Sequence, residues 1–212
     1  MKKVLIVLAL VAAFAFAADS NLVSNPVAGG TGSDDVLQYD DGTAHWLYSG
    51  VSYFGTWFDL TDFLPSATDF DCNSTEWWYY HHSAHPWDTD QIVVELWTGD
   101  VAMPVSVLAS DTITALHYAP VTKTYSTPVT TGDNFWMIGN TTIFSASGIP
   151  SQLYDEFDNF TGIVHSFQSQ DWILWDPVIP VSDAIDALCR AEGTITSALD
   201  NESWGAIKGL YR

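Results

Sequence analysis

The stretch EWWYYHHSAHPWDTD, Glu76 to Asp90, contains three tryptophans, two tyrosines and three histidines in fifteen positions. Its first part has the composition of a β-strand, in which side chains point alternately to opposite faces. Both faces of this segment are therefore aromatic. Such a strand lies inside a sandwich, where its rings bury much surface, or it presents a flat aromatic face to a ligand.

The chain on either side of this strand repeats its character from Val36 to about Trp175. Short runs of β-branched and aromatic residues alternate with Gly, Pro, Asp and Ser, which is typical of an all-β fold. The candidate strands are 36–40, 44–49, 53–60, 75–82, 91–99, 105–113, 117–127, 134–143, 162–168 and 171–177. Alternating βα units are missing, which argues against a parallel α/β sheet. We predict an all-β, antiparallel β-sandwich, jelly-roll-like, over residues 36–180.

The chain begins with the features of an export signal. MKKVLIVLALVAAFAFA has two lysines, an apolar run and small residues at its end, so residues 1–17 are predicted to be a signal peptide of bacterial type. Residues 18–35 are polar and rich in Gly and Ser, as in a flexible leader. We expect a secreted protein, in the medium or on the cell surface, whose mature chain has no membrane span.

Residues 181–212 change character and are predicted to form a helical tail. Ser182 is suited to a helix N-cap, Ile185 and Leu188 share one helical face, and Gly193 is suited to end the helix.

The formal net charge of the full chain is -20. A surface of this sign repels phosphate backbones and anionic lipid headgroups. Nucleic acids and anionic membrane surfaces are therefore excluded as partners.

The chain has two cysteines, Cys72 and Cys189. An exported chain can oxidise such a pair to one disulfide. The sequence leaves this pairing and two separate buried thiols equally open, because it does not give the distance between the two Cα atoms.

Metal binding is the first functional hypothesis for the opening stretch. Adjacent His81 and His82 point apart on a strand, so they do not share an ion without a bulge. Candidate ligands that could converge around the following loop are His82, His85, Asp88 and Asp90. The rival interpretation is a solvated loop.

The segment YDDGT suggests a second place for a cation. Asp40 and Asp41 could form a corner that binds Ca²⁺, the one candidate cofactor, through carboxylate oxygens. Asp-Asp-Gly is also ordinary turn chemistry, which is the favoured interpretation.

Carbohydrate binding is the second functional hypothesis, because large aromatic rings can stack on the faces of sugars. The rings proposed for it are Trp77, Trp87, Trp172 and Trp175. The rival interpretation is that these rings fill the core. Nucleophile-elbow, phosphate-loop and Cys-His signatures are missing, so we predict a protein that is not an enzyme and assign no catalytic residues.

Part of the chain resembles a known group of domains. VLQYDDGTAHWLYS, followed by YFGTWFDL and later by VELWTG, looks like the opening of β-sandwich domains with a YDDGT strand pair in large secreted proteins of Bacteroidetes-like bacteria. The closing SWGAIKGLYR is similar to C-terminal endings of exported proteins of such bacteria. The resemblance implies an extracellular, surface-associated sandwich and assigns no catalytic residues.

The sequence thus predicts a secreted surface or structural protein that acts by self-assembly, as a homo-oligomer or filament, or by binding. The alternative is a lectin-like module that binds extracellular glycans. A glycoside hydrolase has less support, because such an enzyme needs a specific pair of acids and this chain has many.

Overall fold

A computed structural model of the chain describes residues 35–48, 51–80, 87–143, 149–155, 164–178 and 185–197. These residues form twelve strands and one 3-10 turn, Leu60–Asp62. The strands are β1 (Asp35–Leu37), β2 (Trp46–Tyr48), β3 (Tyr53–Asp59), β4 (Ala67–Tyr80), β5 (Gln91–Asp100), β6 (Met103–Thr114), β7 (Pro120–Thr130), β8 (Asn134–Asn140), β9 (Ser151–Tyr154), β10 (Ser166–Ser169), β11 (Asp176–Pro177) and β12 (Cys189–Ser197).

The strands form two sheets. Sheet 1 has the order β1-β12-β4-β9-β2, and β7 also pairs with β4. Sheet 2 has the order β11-β10-β3-β8-β5-β6. Every ladder between these strands is antiparallel. The predicted antiparallel β-sandwich is confirmed.

Aromatic rings join the two sheets in the core. Phe58 and Phe135 of sheet 2 stack with ring centroids 5.0 Å apart, and Phe135 stacks on Phe70 of sheet 1 at 5.7 Å. All three are fully buried. Burial of such a side chain contributes about 1.5–3 kcal/mol, so this stack is a main source of cohesion between the layers.

The predicted C-terminal helix is wrong within the described residues, because Cys189–Ser197 form strand β12 between β1 and β4. Cys189 and Ala191 are buried in the core, whereas Arg190 and Glu192 point outward. That is the two-residue period of a strand. Gly193 does not end a helix; a Cβ there would lie 2.1 Å from the Asp71 carbonyl, so glycine allows β12 to approach β4.

The two cysteines are free thiols in the core. Cys189 lies opposite Trp77 in the β12–β4 ladder, five residues along β4 from Cys72. Five strand residues span about 16 Å, beyond the roughly 7 Å limit for a disulfide. Burial raises the pKa of Cys72 to about 12 and raises that of Cys189 as well, so both stay protonated at neutral pH.

The signal peptide and almost all of the leader lie outside the described residues. Within the described ranges, no helix has both the length and the apolar character that crossing a membrane requires.

Candidate functional site

Three tryptophans form a ladder across the outer face of sheet 2. Trp57 of β3 lies directly opposite Trp136 of β8, and Trp136 lies directly opposite Trp97 of β5. Each follows or precedes a core residue in its strand, so alternation directs its ring away from the core. Phe58 and Phe135 are two of these core neighbours.

A turn after β10 covers this ladder with two more indoles. The ring centroids of Trp175 and Trp136 are 5.2 Å apart, and those of Trp172 and Trp97 are 4.7 Å apart. A Cβ at Gly55 would lie 3.0 Å from the Trp175 ring, so glycine lets this ring rest on the sheet. The outer-face cluster, which we call the tryptophan face, consists of Tyr53, Trp57, Trp97, Trp136, Trp172 and Trp175.

The tryptophan face is partly open to solvent. Trp136 and Trp175 are buried, while the other four rings are partly exposed. Ile173 and Leu174, in the covering turn, are 79% and 62% exposed. Val107 of β6, opposite Trp97, is half exposed and extends the apolar surface toward the sheet edge. Large exposed apolar patches often mark interaction sites, so the tryptophan face is the candidate site.

Hydrogen bonds within the protein fix the ladder. The Trp57 and Trp136 indole N–H groups donate to the carbonyls of Gly99 and Asp100, at 3.3 and 2.9 Å. The Trp97 N–H donates to Glu95 Oε2 at 3.0 Å. Trp136 is fully buried, so of these three rings only Trp57 and Trp97 can offer a ligand their faces, and their hydrogen-bond donors are already occupied.

The covering turn holds Trp172 in a strained backbone conformation. Its φ of 71° is in the left-handed region, which is unfavourable for a bulky residue by about 1–3 kcal/mol. Ser169 Oγ accepts from the Trp172 N–H at 3.0 Å. Asp171 Oδ1 accepts from the next two N–H groups, and these hydrogen bonds lower the pKa of Asp171. The predicted strand 171–177 is thus mostly a structured turn, with Asp176–Pro177 as its strand portion.

The four tryptophans predicted for sugar binding do not form one surface. Trp172 and Trp175 belong to the tryptophan face, whereas Trp87 packs against the core between the sheets. Trp77 is 1% exposed and donates to Thr75 Oγ1 inside that core, so its inclusion as a ligand-stacking ring is corrected.

Sequence reasoning missed the ladder itself, Trp57, Trp97 and Trp136. The available signal was the alternation of each tryptophan with core residues. The strand order that aligns the three was not available from that pattern.

The YDDGT segment forms a turn that holds an arginine. Asp40 Oδ1 accepts from the Gly42 N–H at 3.0 Å, and Asp41 Oδ1 accepts from the Thr43 N–H at 2.7 Å. Asp40 is also paired with Arg190, with 2.8 Å between Oδ1 and Nη2. Its carboxylate is therefore engaged by a guanidinium rather than open to Ca²⁺.

The other predicted metal ligands are not brought together by the described structure. His82 and His85 lie outside the described residues, and Asp88 and Asp90 are exposed. Among the residues that the structure describes, no group of three or more His, Cys, Asp or Glu side chains is arranged to hold a metal ion.

A buried polar cluster lies between the sheets. His165, Ser166 and Asp186 are each exposed by 1% or less. The His165 ring stacks on Tyr39 with centroids 3.5 Å apart, and Ser166 Oγ accepts from the Ala187 N–H at 2.9 Å. The Ser166–Ala187 hydrogen bond connects β10 to the segment that precedes β12 in the interior of the sandwich.

Comparison of the chain with models of protein families, with curated proteins and with solved structures finds no match. Function is therefore inferred from the geometry of the chain's own surfaces.

Proposed function

We propose that this protein is an extracellular, non-enzymatic β-sandwich that binds glycan chains through the tryptophan face. The observation that carries the proposal is the group of partly exposed rings, Tyr53, Trp57, Trp97 and Trp172, held around the buried Trp136 and Trp175. The signal-peptide sequence of residues 1–17 supports the extracellular part.

Stacking on these rings suits a sugar, because a pyranose presents an apolar C–H face while its hydroxyls remain in water. Trp172 contacts both Trp97 and Tyr53, with ring centroids 4.7 and 4.8 Å apart, and all three rings are partly exposed. Several partly exposed rings give a ligand more than one stacking position, which favours a chain of sugars over a single small molecule. Because the rings are held by packing and hydrogen bonds, little conformational entropy is lost on binding.

The negative charge of the protein favours uncharged polysaccharides over anionic ones as ligands. Lys123 and Arg190 are the Lys and Arg residues within the described ranges, and they pair with Asp111 and Asp40. A chain of formal charge -20 repels sulfated or uronate-rich glycans at low ionic strength.

The test is affinity electrophoresis and titration calorimetry against neutral polysaccharides. Trp172→Ala and Trp97→Ala should each weaken binding about tenfold or more, since loss of a central aromatic contact removes about 1.4 kcal/mol or more. Tyr118→Ala is the matched control, because Tyr118 is 45% exposed and packs on Tyr80, away from the tryptophan face. Absence of binding by the wild type, or equal binding by all variants, overturns the proposal.

Self-assembly is a second candidate, favoured by strand β6. It is the last strand of sheet 2, and its outward Met103, Val105 and Val107 are 42%, 67% and 50% exposed. Long apolar edge strands pair readily with other chains. Light scattering after size exclusion should show large particles that Val105→Lys disperses. A monomeric wild type removes this candidate and leaves the glycan proposal intact.

A further inference from the structure

The outer face of sheet 1 contains a polar cleft of about 160 Å³. Polar side chains from or beside four strands line it, among them Gln38, Ser74, Glu76, Thr122, Arg190 and Glu192. We infer that this cleft is a second binding site, which takes one uncharged sugar residue or a similar small polyol.

The strand register assembles the cleft. Arg190 of β12 lies opposite Glu76 of β4, and Glu76 lies opposite Thr122 of β7. Glu192 lies opposite Ser74 in the next outward-facing row. These polar side chains therefore converge because alternation directs them all to one face.

Arg190 provides oriented donors. Its Nε and Nη2 bind the two oxygens of Asp40 at 3.3 and 2.8 Å, and its Nη1 binds Glu76 Oε1 at 3.3 Å. Burial acts to lower the pKa of Arg190, but the contact with Asp40 outweighs it and raises the pKa, so the group stays charged. A guanidinium has five N–H groups, and these contacts occupy three. Two N–H groups remain for a ligand.

The two glutamates provide acceptors. Glu76 Oε1 accepts from the Trp78 indole and from Arg190, while Glu192 Oε2 accepts from Ser74 Oγ at 3.1 Å. The second oxygen of each carboxylate remains for a ligand. The cleft thus offers donors and acceptors side by side, which match adjacent sugar hydroxyls because each hydroxyl both donates and accepts.

The charges select the class of ligand. The charged residues that line the cleft are Arg190, Glu76 and Glu192, and the buried Asp40 is paired with Arg190 behind them, so the net charge of the group is negative and disfavours anions. The central Arg190 disfavours a cation, and an apolar ligand would cover the charged groups of the cleft without offering them hydrogen-bond partners. An uncharged polyol remains.

The cleft lies on the opposite side of the sandwich from the tryptophan face, so the two sites can be tested separately. The probes are glucose, mannose and galactose, with glucuronate as an anionic control, and binding is followed by saturation-transfer NMR on the full chain. Thr122→Trp fills the cleft from an exposed position. Thr127→Trp is the matched control, because it makes the same change at another exposed position of β7.

We expect saturation transfer to at least one neutral monosaccharide in the wild type, in Thr127→Trp and in Trp172→Ala. Thr122→Trp should lose the signal while keeping the wild-type circular dichroism spectrum. Glu192→Gln should weaken binding severalfold, as a second variant that leaves the cleft open.

Four outcomes overturn the inference: no transfer to any neutral monosaccharide, equal transfer in Thr122→Trp and the wild type, preference for glucuronate, or loss of the signal in Trp172→Ala. If Trp172→Ala abolishes the signal, the monosaccharide binds at the tryptophan face, so the cleft inference fails and the proposed function stands. If polysaccharide binding is absent but a signal sensitive to Thr122→Trp persists, the proposed function fails and the cleft inference stands.

Discussion

The two outer faces of the sandwich differ although the same strand alternation builds both. On sheet 2 the outward residues of β3, β8 and β5 include Trp57, Trp136 and Trp97, which stack into the tryptophan face. On sheet 1 the outward residues of β12 and β4 include Glu192 and Glu76, which lie beside Arg190. Strand alternation determines which positions point outward. The residue types at those positions make the outer face of sheet 2 suited to stacking and that of sheet 1 suited to hydrogen bonding.

The largest expected effect concerns the ion pair between Arg190 and Asp40, which lies beneath the outer face of sheet 1; we call this outer face the polar face. Arg190→Ala leaves Asp40, whose side chain has 0% exposure, without its guanidinium. Loss of one partner of a buried pair lowers the free energy of unfolding by about 3–5 kcal/mol. Urea denaturation measures this loss.

Lys123→Ala is the control for that experiment. Lys123 pairs with Asp111, whose side chain is 44% exposed, and surface pairs contribute about 1 kcal/mol or less. If the two variants lose equal stability, the polar face is not anchored by its buried pair.

A second prediction concerns pH and the polar face. Asp155 accepts from the N–H groups of Asp41 and Asp186, so it ties the YDDGT turn to the core. Burial raises its pKa to about 7, and the negative charges of Asp41 and Asp40 add to the shift. In the unfolded chain an aspartate has a pKa of about 4.

The sign of the linkage follows from these values. Below about pH 4 both states are protonated, and the stabilising contribution is fully present. As the pH rises, the unfolded state ionises first, and the contribution is lost through about pH 7. Between about pH 5 and 8 the wild type should lose about 2–3 kcal/mol through this group.

Asp155→Asn removes that titration, so its unfolding free energy should vary less with pH over the same range. Denaturation curves of both proteins at several pH values test this. Identical pH profiles for the two proteins would show that ionisation of Asp155 does not lower the free energy of unfolding.

The smallest expected effect concerns the cover of the tryptophan face. Gly55→Ala places a methyl group 3.0 Å from Trp175 and 3.1 Å from Trp136. We expect a loss of about 1–2 kcal/mol from overpacking, together with weaker polysaccharide binding as Trp175 is displaced. Monosaccharide binding at the cleft should not change. A change at the cleft would mean that the two faces are coupled.

The sequence predicted the β-sandwich fold correctly, but it did not identify every segment that forms a strand. Segments such as QIVVELWTG carry β-branched and aromatic residues, and they are strands in the structure. Cys189–Ser197 consists mainly of small and polar residues, and Ser182 and Gly193 imitate helix boundaries. Arg190 and Glu192 alternate with small core residues, which is the pattern of a strand. That pattern was weaker than the helix-boundary pattern of Ser182 and Gly193. The four-residue β9 was also missed.

The candidate sites were less predictable, because each depends on the pairing of strands distant in sequence. Trp57 and Trp136 are almost eighty residues apart and become neighbours through the β3–β8 register. Arg190 meets Asp40 across a separation of 150 residues. Local patterns carry no information on such pairings, so the sequence predicted that rings and charges were present but not which of them meet.

The packing of the tryptophan face also has an optical consequence. Centroid separations of 4.7, 5.2 and 5.3 Å among its indoles bring their transition dipoles close enough to couple. The far-ultraviolet circular dichroism of this protein should therefore contain an exciton couplet from the strong indole transitions of that cluster. A ligand that displaces Trp172 would change this signal, whereas a ligand bound beside Arg190 would leave it unaltered. The signal therefore reports binding at the tryptophan face alone.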